Sequence, residues 1–348
     1  WSRPPKLAVS GSLTLPAWTN RQPEWREDVV PTLRLDGEFQ AAGGAYRNMP
    51  ANAARSHFAY SNMCWRLPDL VVERPEGRLE LAYQEDDRTK DYYWRIRGTF
   101  DPRALTPLLA TNELRGLDYF TFTLAPVLDG EMWGRFFDYD RIGFQLRVAL
   151  TNFTFRGESA SSFESSVRYT NRFLEFIEPR ALRGAQIASA DGVGADFVAQ
   201  RVYITNGFGN TDPQSFARAI GPRVGRALEP YRFTQPPTVH VNGFAPLKGS
   251  RAADLRFDVD GGPFEWWKFK IPRISGHVHW LGEHLVLTNV RAAFYDGAAA
   301  GFAQFDFTPE QPGTDFQFTA GVTNMDLQRI MADLSTRTNH LEGRLNGQ

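Results

Sequence analysis

Apolar side chains recur at every second position along most of this chain. Within residues 77–110, Leu79, Leu81 and Tyr83 follow that period, which is the signature of a half-buried strand. A polar turn leads on to Tyr92, Trp94, Ile96 and Phe100, which alternate with Tyr93, Arg95, Arg97 and Thr99. Asp101 and Pro102 suit the N-cap and first position of a helix, and Leu105, Leu108 and Leu109 follow at helical spacing.

The same order returns within residues 301–334. Ala303, Phe305 and Phe307 form the first set, and Phe316, Phe318, Ala320 and Val322 the second. Leu327, Ile330, Met331 and Leu334 make the helical stripe, with a slip of about one residue in register. A degraded middle copy places a strand at 201–205, with Thr211-Asp212-Pro213 capping a helix through Phe216, Ala219 and Ile220. The pattern predicts an internal repeat.

Elsewhere the chain reads as short strands: Leu7 to Val9, Leu13 to Leu15, 33–39, 118–124, 144–150, 255–259 and 285–294 among them. Residues 16–27 read as a loop, and the Ser-rich stretch 157–166 as an exposed turn. Residues 168–177 fit either a strand or a short helix. The middle helix is expected to extend through 218–228, with Pro222 kinking or ending it. Few helices and about twenty strands predict a mainly β chain. Its length demands a barrel, two sandwiches or a long sheet, and the repeat favours an elongated, strongly curved antiparallel sheet. Units of 1–115, 116–235 and 236–348 are expected.

Composition narrows the chemistry. A net charge of −1 over 348 residues gives no general affinity for nucleic acid. Cys64 is the single cysteine, so no internal disulfide forms, and beside Trp65 it reads as a small buried hydrophobe. No run of about 18 apolar residues is present. The chain opens on Trp1 and closes on LEGRLNGQ, the pattern of a new strand, so an excerpt of a longer protein is expected.

Candidate reactive groups are few. His277 and His279 share a strand face and, with Glu283 or His284, offer a zinc ligand set; the alternative is a polar face carrying two histidines. Asp138 with Asp140, and Asp258 with Asp260, are carboxylate pairs of the kind glycoside hydrolysis uses, although such pairs also occur at turns and rims. Gly192-Val193-Gly194 lacks the third glycine of a dinucleotide loop. Ser10, Ser12 and the serines of 159–166 have no histidine nearby in sequence. Arg95 and Arg97 fall on the face opposite Trp94 and Ile96, as a solvated outer face would place them. No catalytic residue, metal ligand or cofactor is assigned.

Near the C-terminus the pattern resembles a known family. The features are the turn Phe294-Tyr295-Asp296-Gly297, a Gly-led strand, and a strand running into a helix through Met325, Asp326, Leu327 and Ile330. A further strand follows with Leu341, Glu342, Gly343, Leu345 and Gly347. Residues 271–348 are in this respect similar to the C-terminal portion of AsmA-like proteins, and 77–110 is so through the repeat.

The resemblance implies a bacterial periplasmic protein held to the inner membrane by a segment outside this excerpt. It implies a long sheet curled into an open groove lined with apolar side chains, in a group, including TamB-like proteins, that moves phospholipid and supports outer-membrane assembly. Lipid acyl chains are then the expected partner, with other envelope proteins as candidates. The expected groove lining is Leu79, Leu81, Tyr83, Trp94, Ile96, Phe305, Phe307, Phe316 and Phe318. Arg78, Glu80, Arg95, Arg97, Gln304, Asp306 and Gln317 are expected on the other face. Two other classes compete: an envelope glycan-binding or glycan-cleaving β-protein, and a structural assembly scaffold whose apolar face is filled by its own helices.

Overall fold

The computed structural model describes all residues except 1–2, 18, 20–21, 23, 47–48, 106–116, 222–224, 227–228, 230, 248–251, 267, 309–314 and 335–340. The chain is mainly β, as its alternation predicts. The described residues form twenty-four strands, and twenty-one of them belong to one antiparallel sheet. Contacts divide the chain into two compact units: residues 1–153 with 162–174, and residues 154–161 with 175–348.

The first unit holds β1 (Arg3–Ser12), β2 (Arg34–Tyr46), β3 (Met49–Ser61), β4 (Cys64–Arg74), β5 (Gly77–Asp86), β6 (Asp91–Thr99), β7 (Phe120–Phe122), β8 (Val127–Arg135) and most of β9 (Asp138–Phe155). β1 to β6 pair in sequence order, then β6 pairs with β8 and β8 with β9. β10 (Glu158–Thr170) contributes residues to both units.

The second unit holds β12 (Gln186–Ser189), β13 (Gly192–Asp196), β14 (Arg201–Gly209), β15 (Tyr231–Phe233), β16 (Thr238–Pro246), β17 (Asp254–Gly261), β18 (Phe264–Trp266) and β19 (Phe269–Ile271), after most of β11 (Phe173–Arg183). β20 (Arg273–Leu281), β21 (His284–Phe294), β22 (Gly297–Asp306), β23 (Asp315–Asp326) and β24 (Arg344–Gly347) complete it. β12 and β13 share one place in the sheet, since each pairs with both β11 and β14. β15, β18 and β19 form a separate three-stranded sheet.

A period emerges from this order. Counting β12 and β13 as one place, six main-sheet positions precede three of the helical segments: β1 to β6 before the 3-10 turn Pro102–Leu105, β8 to β14 before α1 (Pro213–Ile220), and β16 to β23 before α2 (Leu327–Leu334). In α1, Asp212 is the N-cap and accepts from Ser215 N at 3.1 Å, with Pro213 at the start of the helix. In α2, Asp326 accepts from Arg329 N at 3.1 Å.

Several expectations are corrected. Residues 158–166 are strand, not turn: Ser165 and Val167 of β10 are buried. Serine is small enough to be enclosed, and the Ser165 hydroxyl donates to the Ser166 carbonyl at 3.1 Å, so burial leaves it satisfied. After Asp101 the described chain makes only the 3-10 turn. The Asp101 carboxylate accepts from Arg103 N at 3.0 Å, rather than from Ala104 or Leu105, while the Arg103 guanidinium clasps the same group. Leu108 and Leu109 lie outside the described residues. The middle helix, by contrast, ends at Ile220, just before Pro222 as expected; the Ile220 carbonyl accepts from Arg156 at 2.6 Å, and Gly225 and Arg226 are again helical. Leu13 to Leu15 lie beyond the end of β1, and Trp25–Val29 form a π-helical turn inside the expected loop.

A recurrent Thr–Asn pair keeps the apolar face in phase. Asn152, Asn206, Asn289 and Asn324 all follow a threonine inside a strand, and all adopt the left-handed conformation, with φ of 48°, 49°, 54° and 56°. Between Ile204 and Gly207 the β14–β16 register gains one residue, and the same happens between Leu287 and Val290 and between Val322 and Met325. Each is a β-bulge, which inserts an unpaired residue and bends the strand. In β21 the apolar set therefore runs Leu285, Leu287, then Val290, Ala292 and Phe294 on one face. In β9, Leu150 and Phe153 are three residues apart, yet both are 7% exposed. Unbroken alternation would have sent one of each such pair to the polar face.

Asn is among the few residues that tolerate this backbone, so Asn289→Val is expected to cost about 1–2 kcal/mol and Asn289→Gly far less. Urea unfolding of the two variants checks this; equal losses would show that the left-handed residue is not what the bulge requires.

Candidate functional site

The apolar face of each unit is built row by row from directly paired residues. In the first unit one row runs Leu67, Tyr83, Trp94, Met132 and Phe144, the next Leu70, Leu81, Ile96, Gly130 and Leu146. Val72, Leu79, Gly98, Leu128 and Val148 make a third. The structure thus brings Leu79, Leu81, Tyr83, Trp94 and Ile96 onto one face. The Tyr83 and Trp94 rings lie 4.2 Å apart and are half-buried. The Tyr83 hydroxyl donates to Glu85 at 2.6 Å, and burial, then that contact, raises its pKa above the ordinary 10.

In the second unit the rows are Phe316, Phe305, Leu285, Trp280, Leu255 and Phe318, Ala303, Leu287, Val278, Phe257, Val241. Phe305, Phe316 and Phe318 therefore share a face. Phe307 lies just past β22 with its ring stacked on Phe305 at 6.4 Å. Phe316 and Phe318 stack at 6.2 Å and are 65% and 67% exposed, with Phe307 at 50%. The two sets of predicted residues belong to different units, and each makes a face within its own.

Exposure changes along the strands. On β23, Phe318 is open to solvent, whereas Met325, about 20 Å further along, is 1% exposed. Met325 packs with Tyr295 and Ile330 of α2, and Phe269, Phe294 and Leu334 surround them. The Tyr295 hydroxyl donates to Asp333 at 2.6 Å, and Arg329 pairs with Asp296 at 2.8 Å, fixing α2 over that end of the strands. In the first unit, Leu79 and Phe100 are likewise buried, with the Arg74 guanidinium over the Phe100 ring.

The opposite faces are polar and cross-linked. Arg95 pairs with Asp129 at 2.6 Å, Arg78 with Glu80 at 3.0 Å, and the Tyr93 hydroxyl donates to Glu131 at 2.7 Å. Each histidine of the proposed zinc set has its own carboxylate instead: His277 meets Asp258, His279 meets Asp254 at 2.9 Å, and His284 lies 3.6 Å from Asp306. Among the described residues no group of three or more His, Cys, Asp or Glu converges as metal ligands. Across the ladder Asp258 meets the His277 ring and Asp260 pairs with Arg273 at 2.7 Å, and Asp138 pairs with Arg141 at 3.1 Å. Gly192 to Gly194 lie within β13. Cys64, at the start of β4, is half-buried.

Sequence reasoning missed two features of these faces. The Thr–Asn bulges carry a readable signal, an apolar–Thr–Asn triplet inside a strand. The His57–Asp69 contact has none, because it joins residues of neighbouring strands.

Scans of the chain against protein-family models, curated proteins and solved structures return no match.

His57 Nδ1 lies 2.7 Å from Asp69, whose carboxylate also accepts from the His57 backbone N–H at 2.8 Å. The side-chain hydrogen bond holds the His57 pKa above 6.5 and that of Asp69 below 3.8. The His57 contribution to stability is full below pH 6.5 and is lost as pH rises through its folded value. That of Asp69 is present above 3.8 and is lost as pH falls through its own folded value. An NMR titration should place the His57 midpoint above 6.5, and Asp69→Asn should return it towards 6.5. An unchanged midpoint would show that the contact does not persist in solution.

Proposed function

We propose that this chain is a non-enzymatic lipid-binding β-sheet protein of the bacterial envelope, whose apolar faces take phospholipid acyl chains. The observation that carries this reading is the open aromatic surface of the second unit, Phe305, Phe307, Phe316 and Phe318, set against a polar face whose charges are paired. Burying a methylene group stabilises by about 0.8 kcal/mol, so an acyl chain laid along such a surface is held without any polar handle. The half-buried row of Tyr83, Trp94, Leu81 and Ile96 offers the same chemistry in the first unit. The resemblance to AsmA-like proteins supports the same reading. On that reading the chain works in the periplasm, anchored to the inner membrane, in the service of phospholipid traffic to the outer membrane. No observation favours the glycan reading, since Asp138 and Asp260 are each paired with an arginine and Asp258 meets the His277 ring.

The test is a paired measurement on one variant. Phe318→Glu changes an exposed position, so its effect on stability should stay within about 0.5 kcal/mol. It should also sharply reduce the phospholipid seen by native mass spectrometry after incubation with phosphatidylethanolamine–phosphatidylglycerol vesicles. Met325→Glu, at the covered end, should instead cost several kcal/mol through a buried unpaired charge. Wild-type protein that carries no lipid, or Phe318→Glu protein that carries as much, would overturn the proposal.

A further inference from the structure

The turn between β8 and β9 is made of two phenylalanines. Arg135 stands opposite Asp138, which leaves Phe136 and Phe137 as the whole connection. Two-residue hairpin turns favour Asn, Asp and Gly, because at least one of their residues takes a positive φ. The turns Asn62-Met63 and Asn171-Arg172 follow that preference, with asparagine at φ of 52° and 51°. Phe137 does not, at φ of 68°. Among the described residues the other aromatic with a positive φ is Tyr295, whose ring is buried against Met325 and Ile330. Phe137 is 95% exposed and gains no such cover. A bulky side chain held in a disfavoured conformation, with no packing to offset it, points to a role outside the fold.

The turn is braced and projects. Phe136 N donates to the Lys90 carbonyl at 3.0 Å, and the Phe136 ring lies 4.8 Å from that of Tyr92. Gly134 makes room for this arrangement, since a Cβ there would strike the Tyr92 ring. On the other flank Met132 stands opposite Phe144, whose ring stacks on Tyr169 at 5.4 Å. β8 runs three residues past Met132, to Arg135, whereas β10 runs one past Tyr169, to Thr170. The hairpin therefore overhangs β10 by about two residues, roughly 7 Å. Tyr139, 76% exposed, extends the apolar tip along β9. Tyr92 and Trp94 share a face of β6, so the tip continues the row of Trp94 and Met132.

Charge beside the turn is balanced. Arg135 pairs with Asp91 at 2.8 Å, Arg141 with Asp138 at 3.1 Å and Lys90 with Asp87 at 2.7 Å, and Asp140 adds a further carboxylate. The tip thus offers rings rather than a cationic patch that would draw an anionic surface. Aromatic side chains partition into the headgroup region of a bilayer, and binding there scales with the apolar area inserted. We infer that the Phe136–Phe137 turn, with Tyr139, is a membrane-inserting tip that docks the first unit on a zwitterionic phospholipid surface. The choice of a bilayer over a protein pocket rests on the lipid-binding reading: apolar faces that take acyl chains have to meet the membrane that supplies them, and Tyr92 joins the tip to the Trp94 row.

The experiment is flotation of the 348-residue chain with phosphatidylcholine vesicles. Wild-type protein should float equally at low and high salt, and phosphatidylglycerol in the vesicles should not strengthen binding. Phe137→Asn should bind about tenfold more weakly and melt no lower than wild type, since asparagine tolerates a φ of 68°. Phe137→Trp should bind as wild type does. Wild-type protein that ignores the vesicles overturns the assignment and leaves the tip to a protein pocket. Equal binding by Phe137→Asn overturns it too, as does a lower melting temperature of that variant, which would make the ring part of the fold. The lipid-binding reading fails separately: vesicle binding by a chain that carries no phospholipid in native mass spectrometry would uphold the tip and sink that reading alone.

Discussion

Every feature of this protein depends on keeping side-chain parity constant along strands of eight to eighteen residues. A strand has only two faces, and one extra residue reverses which side chains point where. Bulges bend and twist long strands, but each bulge would turn an apolar set towards the polar face. The Thr–Asn pairs resolve the conflict by placing the extra residue where the apolar pattern itself skips a position. In β23, Phe316, Phe318, Ala320 and Val322 precede the bulge, and Met325 follows it on the same face. Threonine suits a strand, and asparagine tolerates the left-handed backbone, so the pair is short enough to recur without disturbing its neighbours.

Constant parity creates a second requirement. A sheet with one apolar face has to cover it or leave it wet. Here the cover is partial and lies at one end of the strands. In the second unit α2 closes over Met325, Tyr295 and Phe294, and its fixed position comes from the Tyr295–Asp333 and Arg329–Asp296 contacts. Burying a residue such as Met325 is worth about 1.5–3 kcal/mol, so the covered ends carry much of the stability. Phe316 and Phe318 forgo that gain. Apolar residues on the same strand therefore divide into a buried Met325 that holds the fold and the exposed Phe316 and Phe318, and the division follows distance from the helix.

Much of this was legible in the sequence, and the failures have definite causes. Alternation located the strands and placed Leu79, Leu81, Tyr83, Trp94 and Ile96 together, because period two is a direct consequence of strand geometry. The apparent slip of one residue between the stretches 77–110 and 301–334 has a physical counterpart in the bulge at Asn324, which β6 lacks at the corresponding point. The serines of β10 misled because a strand enclosed by its neighbours needs no apolar alternation when its side chains are small. At Asp101 the described residues show a capped 3-10 turn, with Arg103 clasping the carboxylate. The histidines of β20 share a face as their spacing requires. Their carboxylate partners sit on other strands, at sequence distances that no local pattern reveals.

Those pairs explain why the polar face stays polar. Exposed ion pairs such as Arg273–Asp260 are each worth little, about 0–1 kcal/mol, so they are a poor account of stability. Their value lies in register and in exclusion. Across the ladder Asp258 faces His277 and Glu80 faces Arg97, and a one-residue slip would bring each opposite a different neighbour. A sheet with two apolar faces would stack on its own copies, whereas one with a charged face can associate only through its apolar side or its edges. The charges thus leave the apolar faces, of which the Phe316–Phe318 surface is the most exposed, as the side through which such a sheet can associate.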